Sequence, residues 1–280
     1  MKMIAVLITV HNHKEKTLAC LNALYNCLLP DNHIIEVFLV DDNSSDGTCQ
    51  VVKEQFPQVK IIMGTGNLFW NGGMHFAWKT AASQYDYDHY LWLNNDVTLY
   101  PNAIHELIMV SESEHHQKNI SGSTCATDDQ NKITYGGRIL KDGALVMPNG
   151  QKQHCDYFNG NIVLIPSYVY ATIGTNDPIF RHALGDFDYG LRAQKSGIYS
   201  VVTPHFLGTC DEHDAFASWC NPETSLFKRL KSLYSPLGNH PVEFFRYTRR
   251  HSGIHKAIFY FFTNHLRAIC PSLWKNRSIN

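Results

Sequence analysis

At 280 residues the chain is long enough for one large α/β domain with an appendage and a sizeable core. Its 44% hydrophobic and 18% charged residues exclude a disordered chain, and eight scattered cysteines with no CxxC pair exclude a disulfide frame or zinc knuckle in favour of thiols in a reducing compartment. The formal net charge of −1 conceals an asymmetry: from Lys228 onward ten Lys or Arg face one acid, Glu243, while the other 227 residues carry 14 basic and 24 acidic groups.

The opening Met1–Val10 run is too short for a secretory signal, lacks a small-residue cleavage site and leads directly into His11–Asn12, so Ile4–Val10 reads as a first buried strand. Lys14–Leu28 follows as a helix with Leu18, Leu21, Leu24 and Tyr25 on one face, and Ile34–Val40 as the next strand. Asp46 is placed to cap a helix running to about Phe56, with a short strand at Val59–Met63. Gly72–Gln84 reads as a helix, His89–Asn94 as a strand and Pro101–Ser113 as a helix with proline in its first turn. This alternation implies a parallel sheet with right-handed crossovers. Beyond Ser121 the pattern shifts to short strands and turns punctuated by Gly136–Gly137, Asp142–Gly143 and Asn149–Gly150. Asn161–Ile165 resumes a buried strand, and Asp186–Lys195 reads as a short helix ending at Gly197. No window reaches the roughly 18 apolar residues of a membrane span.

Two apolar runs end in clustered polar groups: Leu39–Thr48, with Asp41-Asp42-Asn43-Ser44-Ser45, and Leu91–Val97, with Asn94-Asn95-Asp96. Strands of a parallel sheet deliver polar side chains in this way to the carboxyl edge, where open α/β sheets bind ligands. Capping would use Ser45 or Asp46 alone, so two adjacent aspartates exceed what a helix start needs. No Gly-x-Gly-x-x-Gly and no Gly-x-x-x-x-Gly-Lys-Ser/Thr is present, so phosphates would be held most simply through a divalent metal on hard oxygen ligands. A third cluster, Gly185-Asp186-Phe187-Asp188-Tyr189-Gly190-Leu191-Arg192, puts two acids at i and i+2, on different helix faces. Asp186 at the helix entrance is the candidate general base; Asp188 caps the helix, pairs with Arg192 or reaches an acceptor.

These features together resemble a family 2 glycosyltransferase of the GT-A fold, in the rhamnosyltransferase-like bacterial branch that builds surface polysaccharides. The resemblance rests on Thr9-Val10-His11-Asn12, the Val40–Thr48 block, Asn67 followed by Gly72-Gly73, the Phe69–Met74 stretch, Asn94-Asn95-Asp96 and the Gly-Asp-x-Asp-x-x-x-Arg run, and spans roughly Met3–Val202. It implies an α/β, Rossmann-like, mostly parallel sheet flanked by helices. The expected organisation is a GT-A domain over 1–220, with a nucleotide-binding half (1–120) and an acceptor half (121–220), then a basic, aromatic helical extension over 221–280.

The resemblance also implies inverting transfer from a nucleotide-diphosphate sugar, a UDP- or dTDP-sugar, to a saccharide or lipid-linked saccharide in capsule, O-antigen or lipooligosaccharide synthesis. Thr9, His11, Asn12, Asp41, Asp42, Asn67, Gly73, Asn94 and Asn95 fall at donor positions. Asp96 falls at the site of a Mg²⁺ or Mn²⁺, with His213 as a further ligand, and Asp186 matches the base. Trp70, Trp219 and Asp188 are candidate acceptor contacts. Two positions depart from the family pattern: Asn94 replaces the first acid of Asp-x-Asp, and Gly185 replaces the Glu before the base. The basic tail implies either an anionic membrane surface or a helix pair docked on the acidic body, hence a cytoplasmic enzyme peripheral to the inner face of the membrane, with no nucleic-acid partner. The competing readings are a GT-A-like binding module that has lost turnover and a sugar nucleotidyltransferase.

Overall fold

A computed structural model describes residues 1–212 and 218–274. The chain forms β1 (Lys2–Val10), α1 (Lys14–Tyr25), β2 (His33–Asp41), α2 (Thr48–Gln55), β3 (Lys60–Met63), α3 (Phe69–Gln84), β4 (His89–Leu93), β5 (Thr98–Leu99) and α4 (Ala103–Ser113). Then come β6 (Asn119–Cys125), β7 (Ile133–Tyr135), β8 (Gly137–Arg138), β9 (Gln153–Cys155), β10 (Tyr157–Phe158), β11 (Ile162–Pro166), α5 (Ser167–Ile173), α6 (Gly185–Lys195) and β12 (Ser200–Thr209). Three helices close the chain: α7 (Leu226–Leu233), α8 (Pro241–Ser252) and α9 (Ile254–Ile269).

Two compact units divide these elements. The first comprises Met1–Pro178 and Gly185–Glu212; the second takes Ile179–Leu184 and the described residues from Ser218 on. In the first unit the main sheet runs in the order β3-β2-β1-β4-β11-β6-β12-β5, with β7 beside β6 and β9 beside β12, and β8 and β10 form a small second sheet. β1 pairs in parallel with β2 and β4, β2 with β3, and β6 with β12, while β11 runs antiparallel to both β4 and β6. The sheet is therefore mostly parallel, as the alternating pattern implies, with an antiparallel strand at its centre.

Both faces of the sheet are covered. Ile4, Val6, Ile8 and Val10 of β1 join a core with Leu21 and Leu24 of α1, whereas Ala5 and Leu7 join a second core with Met74, Trp78 and Trp92. That two-sided burial is why β1, β2 and β4 read as continuous apolar runs. β6 does not: Asn119, Ser121, Ser123 and Thr124 are all 0% exposed, so a wholly buried strand has a polar sequence. In the second unit Trp219, Cys220, Leu233 and Ala268 make a small core, and the Glu243 carboxylate accepts from Arg181 Nε at 2.7 Å. Among the described residues no helix is long and apolar enough to cross a membrane.

Candidate active site

Three chain reversals at the carboxyl ends of β1, β2 and β4 build the site within the first unit. Asn12, His13 and Asn43 all adopt left-handed backbone conformations, with φ of 60°, 64° and 61°. Non-glycine residues are uncommon there, with Asn and His among those that adopt it most readily, and such backbone positions concentrate at ligand sites. The first two ends are laced together: Asn12 N donates to Ser44 Oγ at 2.8 Å, and Ser45 N donates to Asn12 Oδ1 at 2.9 Å. Asp46 ties the same turns by accepting from Lys14 N and Thr48 N, each at 3.0 Å. Exposed His11 is anchored through Nδ1 to the Asp42 carbonyl at 2.8 Å.

The adjacent aspartates do different work. Asp42 is fully engaged by the backbone: Oδ1 accepts from Gly66 N at 2.6 Å, and Oδ2 from Leu68 N at 2.9 Å and Phe69 N at 3.0 Å. Three amide N–H groups at and before the start of α3 are satisfied by one carboxylate, so Asp42 holds that loop in place. Asp41, 0% exposed, accepts from Ser44 N at 2.7 Å through Oδ1, and its Oδ2 has no hydrogen-bond partner among the described residues. Beside it the buried Thr9 hydroxyl likewise has none among them. Unsatisfied buried oxygens are costly and call for an explanation, and a ligand is one that fits two of them at a strand end. Gly73 has a packing reason instead: a Cβ there would overlap the Thr9 side chain, so glycine lets α3 lie against β1. Asn67 stands exposed on the loop that Asp42 fixes.

At the end of β4, Asn94 Oδ1 accepts from Trp70 Nε1 at 2.6 Å, and Asn95 Nδ2 donates to Thr17 Oγ1 at 3.0 Å. The two amides thus brace neighbouring elements and leave Asp96 as the carboxylate of the motif. The Cys210 thiol hydrogen-bonds Asp96, and burial, then the nearby Asp96 charge, push that thiol up to about 12, so it stays protonated and donates. Among the described residues no three His, Cys, Asp or Glu side chains converge to hold a metal unaided. A lone carboxylate with hard oxygens still suits Mg²⁺ or Mn²⁺, which commonly take one or two protein carboxylates and complete their shells with water and substrate phosphate. His213 lies outside the described residues.

Asp186 opens α6 half-buried; its Oδ2 accepts from Gly160 N at 2.9 Å and its Oδ1 from Phe187 N at 2.8 Å. Burial raises its pKa from 3.8 to about 6, against the opposing pull of those two amides and of the Arg138 charge. Dehydration therefore supplies the elevated basicity that the missing neighbouring acid would otherwise provide. Gly185 has no room for that acid, because a Cβ there would overlap the Asn71 carboxamide, which is itself held by Asn176 Nδ2 at 2.6 Å and donates to the Asp177 carbonyl at 2.8 Å. Trp70 packs on Gly160, where a Cβ would overlap its indole, and the same Cβ would lie 3.3 Å from Asp186 Cβ. One indole thus links the end of β4 to the start of α6. Asp188 faces the other way: 0% exposed, it accepts from Arg192 Nε at 2.9 Å, and Arg192 donates on to the Ile173 and Thr175 carbonyls. Its carboxylate is engaged in the scaffold. Trp219 is buried in the second unit's core, with the Arg267 guanidinium 5.2 Å from its ring.

Gly160 and Arg138 escaped sequence reasoning, and Asn71 was visible only as part of the Phe69–Met74 stretch, with no role attached. The Gly136-Gly137 pair before Arg138 was visible only as turn punctuation, and nothing local distinguishes Gly160.

The glycosyl transferase family 2 model matches residues 5–169, more than half of the chain. Solved structures share the fold. A mannosyltransferase, PcManGT from Pyrobaculum calidifontis in complex with GDP-Man and Mn²⁺, superposes with a TM-score of 0.58 at 14% identity, covering 99% of this chain and 76% of that one. S. aureus TarS 1–349 superposes with a TM-score of 0.57 at 13% identity, covering 100% and 93% respectively. No curated protein sequence matches the chain. With its strand ends, its mostly parallel sheet and this family match in agreement, the chain belongs to glycosyl transferase family 2 and is a glycosyltransferase of the GT-A fold.

Proposed function

We propose that the enzyme transfers a sugar, with inversion, from a nucleoside diphosphate donor to a hydroxyl of a saccharide or lipid-linked saccharide in surface polysaccharide assembly. The observation that carries this reading is Asp186: a half-buried carboxylate with a pKa near 6, oriented by two backbone amides and joined through Trp70 to the end of β4. Asp41 and Thr9 take the nucleoside, satisfying oxygens that have no partner among the described residues. His11, Asn12, Asn67 and Asn95 shape the rim of the donor site, and Asp42, Asn94 and Gly73 hold its walls. Asp96 would hold Mg²⁺ or Mn²⁺, which when bound offsets the charge of the departing diphosphate. Asp186 removes the acceptor proton as the hydroxyl attacks the anomeric carbon opposite the leaving group, and a single such displacement inverts that carbon. Trp70 offers a ring edge for an acceptor sugar. The basic extension brings the enzyme to the anionic inner face of a membrane, where lipid-linked acceptors reside.

The test is turnover of a panel of UDP-, dTDP- and GDP-sugars with Mg²⁺ or Mn²⁺ and saccharide acceptors. Release of a nucleoside diphosphate with a product of inverted linkage is expected. Pyrophosphate as product would mean a nucleotidyltransferase, and donor binding without any turnover would mean a binding module.

A further inference from the structure

Among the described residues of the second unit, one apolar face is left uncovered by the rest of that unit. Along α9, Ile254, Ile258, Phe262 and Ile269 are 43%, 45%, 67% and 49% exposed, whereas Ala257, Asn264 and Ala268 are buried. The exposed set recurs at helical spacing, so α9 has one apolar stripe facing inward and a second facing water. α8 extends the outer stripe: Val242 and Phe245 join Ile258, Phe261 and Phe262 around a wholly apolar groove of about 280 Å³. Phe245 and Phe261 meet edge-to-face at 6.2 Å, fixing the two helices side by side. Exposed Arg246 and Arg249 follow the apolar residues on α8.

An uncovered apolar face of this kind needs an occupant. Charge selects among the candidates. The segment from Lys228 onward has ten basic residues against one acid, so pairing this face with the same face of a second copy would bring like charge against like charge. An anionic bilayer meets both halves of the pattern, acyl chains for the Ile and Phe stripe and phosphates for the arginines. Among the described residues no helix can span a membrane, which leaves contact in the plane of the surface.

We propose that α8 and α9 lie in the plane of an anionic membrane, with Val242, Phe245, Ile258 and Phe262 sunk among acyl chains and Arg246 and Arg249 at the headgroup phosphates. This deepens the membrane part of the proposed function and is independent of the donor chemistry. The full chain is sedimented with phosphatidylglycerol-containing vesicles and with pure phosphatidylcholine vesicles, without donor. Binding to the anionic vesicles alone, weakening as salt rises, is expected. Phe262→Glu should lower it at least about tenfold, and Arg246→Glu should lower it by about fivefold or more. Both positions are exposed, and an unchanged melting curve shows that each variant is folded; the arginine variant keeps the test alive if the other is not. Absence of vesicle binding, equal binding to both vesicle types, or unchanged binding by the folded variants overturns the inference. So does dimerisation of the wild type that Phe262→Glu abolishes, which would give the face to a second copy. Donor turnover measured in parallel separates the two proposals, since lost binding with intact turnover sinks this one alone.

Discussion

The end of β2 and the start of α6 each present a pair of aspartates, and each pair is divided the same way by different means. Asp42 is engaged by three backbone amides and Asp188 pairs with Arg192, while Asp41 and Asp186 are the two acids we propose for donor and acceptor chemistry. Neutral dipoles distributed along a loop hold Asp42, so its partners move together with the start of α3. The Arg192 guanidinium pairs with Asp188 at 2.9 Å, so removing the acid leaves a partly buried charge without its counter-ion. Neighbouring carboxylates in a sequence are thus not a double dose of one chemistry: on the proposed function one builds the frame and the other works within it.

The sharpest way to break that division is Asp186→Asn. It should lower kcat by about 10²–10⁴-fold, as expected for a lost general base, in steady-state assays with saturating donor. In the wild type, activity should fall as pH drops through about 6, because the protonated carboxyl cannot accept the acceptor proton. The stability effect has the opposite sign. A carboxyl whose folded pKa is raised stabilises the fold below its unfolded value, and that contribution is lost as pH rises through about 6. Asp186→Asn should therefore melt higher than wild type above about pH 7, with the gain vanishing toward about pH 4.

Asp188→Ala should reverse that profile by destabilising the fold about 3–5 kcal/mol in denaturant unfolding, because the partly buried Arg192 loses its acid. Asp42→Ala should cost about 1–3 kcal/mol by leaving amides at the start of α3 unsatisfied. Asp41→Asn is the mildest: donor KM should rise up to about tenfold with the melting temperature nearly unchanged. If Asp41→Asn destabilised as strongly as Asp42→Ala, the separation of frame from site at β2 would fail.

Much of the first half was legible in the sequence. β1, β2 and β4 are continuous apolar runs because both their faces are buried, and their polar ends mark the site. β6 was not legible, since its buried positions are Asn, Ser and Thr, and neither was β12, which contains Pro204 and His205. Helix α3 begins at Phe69, earlier than the glycine pair suggests, because Asp42 caps its first amides from a distant part of the chain. Asp186 could be singled out as a candidate from its neighbours, but its raised pKa could not. That depends on Gly160, Trp70 and the burial they create, which only the fold brings together.

The closed space at Gly185 has a consequence for how turnover is timed. Asn71 leaves no room for a side chain there, so the basicity of Asp186 is set chiefly by burial, with two amides and the Arg138 charge opposing it. On the proposed function, an acceptor that displaces the remaining solvent should strengthen the base further at the moment its own proton must leave, and water attacking a bound donor without acceptor should meet a weaker one. The acid limb of activity should accordingly lie higher with acceptor bound than the limb for donor hydrolysis alone, and coincident limbs would show that the acceptor plays no part in priming its own deprotonation.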